Sequence, residues 1–382
     1  MINSLEQDFH SALHKRREEG VLRKLRPIIN PSESDFFSND YLGHAHSNIL
    51  KEKIENKIKY TQKSGSTGSR LLSGNSLLAE SLEKEIAVYF KAPAALLFNS
   101  GYDLNMGLLP AISNDQDIIL IDQNAHASLK NGAKLSNAKT YFFRHNNLEH
   151  LQKRLENSSE KGRHIFVITE SVFSMDGDLA PLEEQAELCQ NFGAHLIVDE
   201  AHGAGVLGEE GKGLTYKNTL REKVFARIIT FGKAFGVHGA ALLGTDLLKQ
   251  FLVNFCHSFI YTTALPEHSL FSIRESLYFH KDNSRNRANL KKNIDLFSEL
   301  TGLEEAWLSP IFTLFAKENK KLREISDDLK KERFAILPIF SPTVQKGSER
   351  LRICLHSFNK SNEITRLADK LKSYSLKMGV YQ

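Results

Sequence analysis

The chain has 382 residues, of which 41% are hydrophobic and 25% are charged, and its formal net charge is +4. This length fits a large domain joined to a smaller one better than a single small core. The small net charge, with no basic run interleaved with aromatic residues, gives no reason to expect a nucleic-acid partner. No apolar stretch is long enough to span a bilayer, and the start of the chain lacks the pattern of a secretion signal. We therefore expect a cytoplasmic protein that binds neither membrane nor nucleic acid.

The three cysteines, Cys189, Cys256 and Cys354, lie far apart in the sequence. They show no paired spacing of the kind that marks a disulfide framework or a zinc site. We therefore expect three reduced thiols, as in cytosolic proteins, and no bound metal.

Short apolar runs alternate with helical patterns through the middle of the chain. The runs that predict strands are 95–98, 117–122, 140–143, 164–169, 195–199, 226–230 and 240–243. The helical patterns between them include 77–90, 148–155 and 182–192. Strands that alternate with helices indicate an α/β fold. The nearly continuous apolar character of these strands indicates a large, mainly parallel sheet that is covered on both faces.

The pattern changes after Pro266, where two long helical patterns are followed by a mixed segment and a final helix. The predicted strands and helix of this part are 311–315, 335–339, 351–354 and 362–376. Such a mixture predicts a smaller α+β domain at the C-terminal end. We expect an N-terminal arm, a large domain, and a small domain that packs with the arm, with the bounds 1–45, 46–285 and 286–382.

Lys233 lies directly after an apolar strand, in the segment Thr230-Phe231-Gly232-Lys233-Ala234-Phe235-Gly236. A lysine that is held away from water at a strand end can be kept neutral, and its amine then becomes a nucleophile able to form a Schiff base. The alternative is an ordinary loop lysine among the 50 Lys and Arg residues.

Asp199 ends another apolar strand, and His202 follows it by three residues. In open α/β sheets, ligands bind at the carboxyl ends of the strands. A carboxylate there can keep the proton on a pyridinium nitrogen, so that the ring remains an electron sink. The alternatives are an acid that caps the turn and a histidine of the core.

A rival hypothesis uses the same residues, because Asp199-Glu200-Ala201-His202 matches the acidic box of DEAH-type nucleotide hydrolases, in which the acids hold magnesium. That function needs a phosphate loop of the form G-x-x-x-x-G-K-[ST]. The nearest strings begin at Gly65 and at Gly208. The first lacks the lysine, and the second has the wrong spacing and no hydroxyl after its lysine.

Two further clusters follow apolar strands. Gly101 and Tyr102 open a predicted helix, and the free N–H groups of a helix start form an anion site that a phosphate can approach closely beside glycine. His126 follows another strand end and could stack on a flat cofactor ring. The alternatives are an ordinary strand-to-helix turn and a structural cap.

In this order the motifs are specific, and the chain resembles the α-oxoamine synthases almost throughout. The segments that carry the resemblance begin at Ser38-Asn39-Asp40-Tyr41-Leu42-Gly43, Gly65-Ser66-Thr67-Gly68-Ser69-Arg70 and Leu72-Ser73-Gly74-Asn75. They continue with Glu170-Ser171-Val172-Phe173-Ser174-Met175-Asp176-Gly177-Asp178, the Asp199 and Lys233 segments, Ile260-Tyr261-Thr262-Thr263-Ala264-Leu265-Pro266 and Leu351-Arg352-Ile353. The resemblance implies a fold type I, aminotransferase-like enzyme that condenses an amino acid with an acyl thioester, with pyridoxal 5'-phosphate as cofactor.

The resemblance also implies roles for individual residues. It makes Lys233 the Schiff-base lysine and later the acid and base at Cα, Asp199 the partner of the ring nitrogen, and His126 the stacking group; His202 is the fourth residue that we assign to catalysis. His202 and Ser174 would lie near the ring hydroxyl. Phosphate contacts would come from Gly101, Tyr102 and Thr230, and from Thr262 and Thr263 of the other subunit, which implies a homodimer with shared active sites.

The substrates implied by the resemblance are an amino acid and an acyl thioester. Arg352 would clamp the carboxylate of the amino acid, as arginine does bidentately. Asn39 and Thr343 would also bind substrate, and Arg23 would lie near the acyl donor.

Three features favour the branch of the family that joins L-alanine to a pimeloyl thioester, on CoA or a carrier protein, for biotin synthesis. They are the segment 232–241, the segment Pro342-Thr343-Val344, and Arg23. His238 and Ser341 depart from the pattern of that branch. The alternative within the family is a glycine C-acetyltransferase.

Overall fold

The computed structural model describes residues 4–23, 25, 33–61, 63–302, 309–316 and 318–374. These residues form two compact units. The first unit is drawn from residues 1–38, 175–177 and 291–382, and the second comprises 39–174 and 178–290. The predicted domain bounds at 45/46 and 285/286 remain our proposal, since compactness alone does not define a domain, and parts of the predicted arm and small domain lie outside the described residues.

The strands, in chain order, are β1 (Ser34–Asp35), β2 (Ala94–Phe98), β3 (Ile118–Asp122), β4 (Lys139–Phe143), β5 (Ile165–Glu170), β6 (His195–Asp199), β7 (Val224–Thr230), β8 (Ala240–Gly244), β9 (Ile311–Phe315), β10 (Phe334–Ala335), β11 (Leu337–Ile339) and β12 (Arg350–Cys354). The helices are α1 (Ser4–Glu18), α2 (Asn48–Ile58), α3 (Leu77–Tyr89), α4 (Gly101–Ile112), α5 (Ala127–Leu135), α6 (Leu148–Ser158), α7 (Leu182–Asn191), α8 (Asn218–Arg221), α9 (Asp246–Phe255), α10 (His257–Ile260), α11 (Glu267–Asp282), α12 (Ser284–Thr301), α13 (Asn319–Lys331) and α14 (Ser361–Ser373). Two short 3₁₀ helices cover Glu209–Gly211 and Leu214–Tyr216. No helix of the described residues is both long and apolar enough to cross a membrane.

The second unit is built on a seven-stranded sheet in the order β2–β8–β7–β6–β5–β3–β4. Strand β8 runs antiparallel to its neighbours β2 and β7, and the other pairings are parallel. The predicted α/β fold with a mainly parallel sheet is therefore confirmed.

Both faces of this sheet are buried. On β3, Ile119 and Ile121 pack with α4 and α5, whereas Ile118 and Leu120 point the opposite way and pack with α6 and α7. A third cluster joins α3 and α11 to β2, β7 and β8. Because alternate side chains meet a helix layer on each side, these strands need apolar residues at every position.

Helices α4 and α5 approach each other closely. Ser100 caps the N-terminus of α4, and its Oγ accepts a hydrogen bond from the backbone N–H of Asp103. On α5, a Cβ added at Gly132 would lie 2.1 Å from the backbone oxygen of Asn105. Only glycine fits there, so this one position sets the distance between the two helices.

The first unit contains an antiparallel sheet, β11–β12–β9, and the parallel pair β1–β10. The predicted strand 335–339 is divided into two: Phe334–Ala335 pairs with β1, whereas Leu337–Ile339 pairs with β12. A strand that changes partners at one residue leaves no signal in local hydrophobicity. The predicted final helix is confirmed as Ser361–Ser373, and residues 375–376 of that prediction lie outside the described residues.

Replacing Gly132 with alanine is expected to lower the free energy of unfolding by about 1–3 kcal/mol or more, because the added methyl group meets backbone that cannot move alone. The measurement is the urea midpoint followed by circular dichroism. Gly65→Ala is the matched control, since a Cβ there meets nothing within 4 Å. Equal midpoints for the two variants would contradict the close approach of α4 and α5.

Candidate active site

Three adjacent strands bring the predicted catalytic residues to one edge of the sheet. Strands β5, β6 and β7 are parallel neighbours, and they end at Glu170, Asp199 and Thr230. Glu170 is paired directly with Asp199 in the sheet register. Lys233 is the third residue after the end of β7, so its side chain starts at the same edge of the sheet.

The turn that carries Lys233 is held from both sides. Phe231 and Phe235 are fully buried, with ring centroids 5.6 Å apart. The backbone N–H of Gly236 donates to the carbonyl oxygen of Lys233 at 2.8 Å. Gly236 has a φ of +68°, and a Cβ there would lie 2.3 Å from the backbone nitrogen of Ala45. The packing of the neighbouring residues and this backbone hydrogen bond therefore fix the backbone position of Lys233.

The carboxylate of Asp199 is buried and receives two hydrogen bonds. Asn105 Nδ2 donates to its Oδ2 at 2.9 Å, and the backbone N–H of Ala201 donates to its Oδ1 at 2.9 Å. Asn105 Nδ2 also donates to Ser128 Oγ at 2.9 Å, and Ser128 Oγ lies 2.7 Å from His126 Nδ1. Asp199 and His126 are thus joined through two side chains on α4 and α5.

Burial shifts the pKa values of two ionisable groups beside Asp199 in the direction that favours their neutral forms. Burial raises the pKa of Glu170 well above its ordinary value, and the nearby carboxylate of Asp199 raises it further. Burial also lowers the pKa of His126, with Lys233 and Lys130 adding to the effect and Asp199 opposing it. The Glu170 carboxyl accepts a hydrogen bond from the backbone N–H of His126 at 2.5 Å.

The start of α4 and the end of β7 form a concave site. Thr230 Oγ1 is buried and has no hydrogen-bond partner among the described residues. A Cβ added at Gly101 would lie 2.6 Å from Cγ2 of Thr230. The N–H groups of Gly101 and Tyr102 belong to the first turn of α4, so they have no partner within that helix. This site offers donors to an anion and has no side chain at Gly101 to fill it.

His202 is fixed by a tyrosine from the start of the second unit. Its Nδ1 lies 2.7 Å from the hydroxyl of Tyr41, which also donates to Asn39 Oδ1 at 3.1 Å. Tyr41 and His202 are both buried, as is Ser174 after β5. The structure thus brings Asn39, one of the predicted substrate residues, into contact with the tyrosine that holds His202.

Thr262 and Thr263 lie against Asn99, two residues before Gly101. Asn99 Nδ2 donates to Thr262 Oγ1 at 2.8 Å and to the carbonyl oxygen of Thr263 at 2.9 Å. These contacts are within one chain. The expected reach of both threonines to the phosphate of another subunit stays a prediction.

The remaining predicted substrate residues belong to the first unit. Arg23 Nη2 donates to Thr343 Oγ1 at 2.8 Å, so these two lie together. Arg352 is buried on β12, where its Nη1 donates to Cys354 Sγ at 2.9 Å. Their roles toward substrate stay predictions.

Glu200, the second acid of the proposed acidic box, is committed to the protein's own structure. It is fully buried and accepts hydrogen bonds from the backbone N–H and the hydroxyl of Thr215 and from the hydroxyl of Ser171. A Cβ added at Gly213 would lie 2.8 Å from this carboxyl group. Glu200 therefore has no room to hold magnesium, which argues against the nucleotide-hydrolase alternative.

Four residues of this site received no role from the sequence. They are Tyr41, Asn105, Ser128 and Glu170. Only Asn105 left a usable signal, since it is an amide in the otherwise largely apolar helix α4, one turn after Gly101. Polar side chains on an apolar helix face usually have a partner in the fold.

Comparison with known proteins supports the same family. The sequence profile described as aminotransferase class I and II matches residues 34–371. The 8-amino-7-oxononanoate synthase of Lysinibacillus sphaericus is 34% identical over an alignment of 389 positions, which covers 97% of this chain and 99% of that protein. The protein of the same name from Chlorobaculum parvum is 36% identical and covers 91% of this chain and 90% of its own.

Solved structures agree. The crystal structure of 8-amino-7-oxononanoate synthase from Francisella tularensis superposes with a TM-score of 0.77 at 29% identity, over 91% of this chain and 98% of that one. Serine palmitoyltransferase of Sphingomonas wittichii has a TM-score of 0.88 at 24% identity, over 97% and 98% of the two chains, and it shows the shared fold. The chain therefore belongs to the class I and II aminotransferase family of pyridoxal-phosphate enzymes and, within it, to the α-oxoamine synthases.

Proposed function

We propose that this protein catalyses the decarboxylative condensation of L-alanine with a pimeloyl thioester to 8-amino-7-oxononanoate in biotin synthesis. The products are the amino ketone, carbon dioxide and the free thiol. Relatives of that name match this chain over nearly its whole length, which supports this substrate pair over the glycine C-acetyltransferase alternative.

The observation that carries the proposal is the fit of the site to pyridoxal 5'-phosphate. Thr230 Oγ1 is a buried hydroxyl with no hydrogen-bond partner in the described part of the chain, and it lies beside Gly101 at the N-terminus of α4. Both features suit a phosphate group. Asp199, held by two hydrogen bonds on the adjacent strand, suits a protonated ring nitrogen. Burial raises the pKa of Glu170 and so favours its protonated form, which would not compete for that nitrogen.

The residues that would hold the cofactor follow from these positions. Lys233 would bind it covalently through Nζ, and His126 would stack on its ring as a neutral imidazole. His202 and Ser174 would bind the ring hydroxyl. Thr230 and the N–H groups of Gly101 and Tyr102 would bind the phosphate. When bound, pyridoxal phosphate supplies an electron-withdrawing ring that stabilises negative charge at Cα of the amino acid.

The protein's own groups would then move the protons. Lys233 Nζ, once displaced by the amino group of L-alanine, would accept the Cα proton, and after loss of carbon dioxide it would return a proton to the same carbon. Asp199 would hold the ring nitrogen in its protonated form throughout. Arg352 would bind the carboxylate of L-alanine, while Arg23, Thr343 and Asn39 would bind the substrates.

We also propose that the enzyme is a homodimer in which Thr262 and Thr263 of one subunit complete the phosphate site of the other. The resemblance to the family supports this arrangement; within their own chain both threonines contact Asn99. The cytoplasm is the proposed location, because Cys189, Cys256 and Cys354 are all free thiols.

Lys233→Ala is expected to abolish turnover and to prevent borohydride from fixing the cofactor to the chain, because Lys233 is the amine that we assign to the Schiff base. The measurements are thiol release and mass spectrometry of the reduced protein. Lys153→Ala, on the exposed face of α6, is the control and should retain both properties. A Lys233→Ala protein that still carried reduced cofactor on a lysine would contradict the assignment.

A mixed dimer tests the shared site. One chain carries Lys233→Ala, and the other carries Thr262→Ala with Thr263→Ala. If the threonines serve the partner's site, one of the two sites in the mixed dimer combines an intact lysine with intact threonines. The mixed dimer should then show about half of the native activity, although the first parent is inactive and the second is impaired. Activity no higher than the average of the two parents would contradict sharing.

A substrate panel tests the reaction itself. Thiol release should be fastest with L-alanine and a pimeloyl thioester, offered on CoA and on a carrier protein. Glycine in place of L-alanine should react more slowly by about 5- to 200-fold, since one methyl group is worth about 1–3 kcal/mol of discrimination. Faster turnover of glycine with acetyl-CoA, or of serine with palmitoyl-CoA, would overturn the proposed substrates and leave the Lys233 assignment standing.

A further inference from the structure

Four polar side chains form one continuous hydrogen-bonded line at the proposed cofactor site. They run from Asp199 through Asn105 and Ser128 to His126, with separations of 2.9, 2.9 and 2.7 Å. Asp199 ends β6, Asn105 is on α4, and Ser128 lies in the first turn of α5. Asn105, Ser128 and Asp199 are at most 5% exposed, so water does not compete for these hydrogen bonds.

The direction of each hydrogen bond in this line is fixed by chemistry. A carboxylate can only accept, so the group of Asn105 that faces Asp199 Oδ2 must be its NH₂. The reversed amide would place two acceptors 2.9 Å apart. The same NH₂ group donates its second proton to Ser128 Oγ. The hydroxyl proton of Ser128 is therefore left for His126.

His126 receives two donors at the same nitrogen. Besides the Ser128 hydroxyl, the backbone N–H of Ser128 donates to His126 Nδ1 at 3.2 Å. A nitrogen that accepts hydrogen bonds cannot carry a proton, and burial keeps the imidazole neutral by lowering its pKa. The single ring proton must then be on Nε2.

We infer that Asn105 is a positioning residue which, through Ser128, ties the carboxylate of Asp199 to the imidazole of His126 and fixes His126 as the Nε2–H tautomer. The consequence for catalysis rests on the proposed function. Asp199, assigned to the ring nitrogen, and His126, assigned to stacking on the ring, would be oriented together. The line itself is a property of the chain and exists without cofactor.

The tautomer is measured on cofactor-free protein labelled with ¹⁵N-histidine. The signals of His126 are assigned by their loss in His126→Phe. Nδ1 is expected to show the shift of an unprotonated nitrogen and Nε2 that of a protonated one at neutral pH. A proton on Nδ1, or a mixture of both tautomers, would overturn the inference. This experiment needs no turnover, so its failure is separate from failure of the proposed function.

The coupling is measured by the dissociation constant of pyridoxal phosphate in a double-mutant cycle. Asn105→Leu should weaken binding by about tenfold or more, the loss expected for a hydrogen bond to a charged group. Ser128→Ala should weaken binding on its own, yet add little in the Asn105→Leu background, because the line is already broken. Asn254→Leu, at an exposed position of α9, is the matched control and should bind normally.

Fold-changes that multiply in the double variant would show that the two residues act independently, and would overturn the line. If Asn105→Leu gives no cooperative urea transition, Ser128→Ala decides: it must weaken binding and alter the ¹⁵N signals of His126. Unchanged binding and unchanged signals in Ser128→Ala would also overturn the inference.

Discussion

A carboxylate buried at the end of a central strand is the constraint on which the second unit depends. Removing an ionised carboxyl group from water costs several kcal/mol unless hydrogen bonds replace the lost hydration. Asp199 obtains them from the amide of Asn105 and the backbone N–H of Ala201. Asn105 supplies its amide from α4, and α5 lies close alongside because Gly132 has no side chain. The spacing of two helices, and the glycine that permits it, are therefore part of the support of a single carboxylate.

The same burial also decides which neighbours can be charged. Glu170 lies beside Asp199 in the sheet register, and two carboxylates so close together would repel each other. Burial raises the pKa of Glu170, which favours its protonated form and so weakens that repulsion. The lowered pKa of His126 likewise keeps a second positive charge away from the ring nitrogen. At this edge of the sheet Asp199 is therefore flanked by two groups whose pKa shifts favour their neutral forms.

Much of this was predictable from local sequence, and the rest was not, for physical reasons. Apolar runs give the strands, and in parallel strands the carboxyl ends share an edge; this is why Asp199 and Lys233 could be placed together before the structure was known. Asn105 and Ser128 could not be assigned a role, since their hydrogen bond joins two separate helices, α4 and α5, and depends on the close approach of those helices at Gly132. The break between β10 and β11 was missed for a similar reason: Ile336 separates two strands that pair with different partners, and pairing is not encoded in hydrophobicity.

The alternation of side-chain direction along β6 explains why the adjacent acids Asp199 and Glu200 have different surroundings. Ile197 faces the α4 side of the sheet, and Val198 faces the opposite side. Asp199, two residues after Ile197, therefore points toward α4, where it meets Asn105 and the proposed ring site. Glu200 follows the strand and points to the other side. It accepts two hydrogen bonds from Thr215, which anchor that loop, and a third from the hydroxyl of Ser171. An acidic pair that resembles a metal-binding box in sequence is thus divided by the period of the strand: Asp199 is bound by Asn105 of α4, and Glu200 is bound by Thr215.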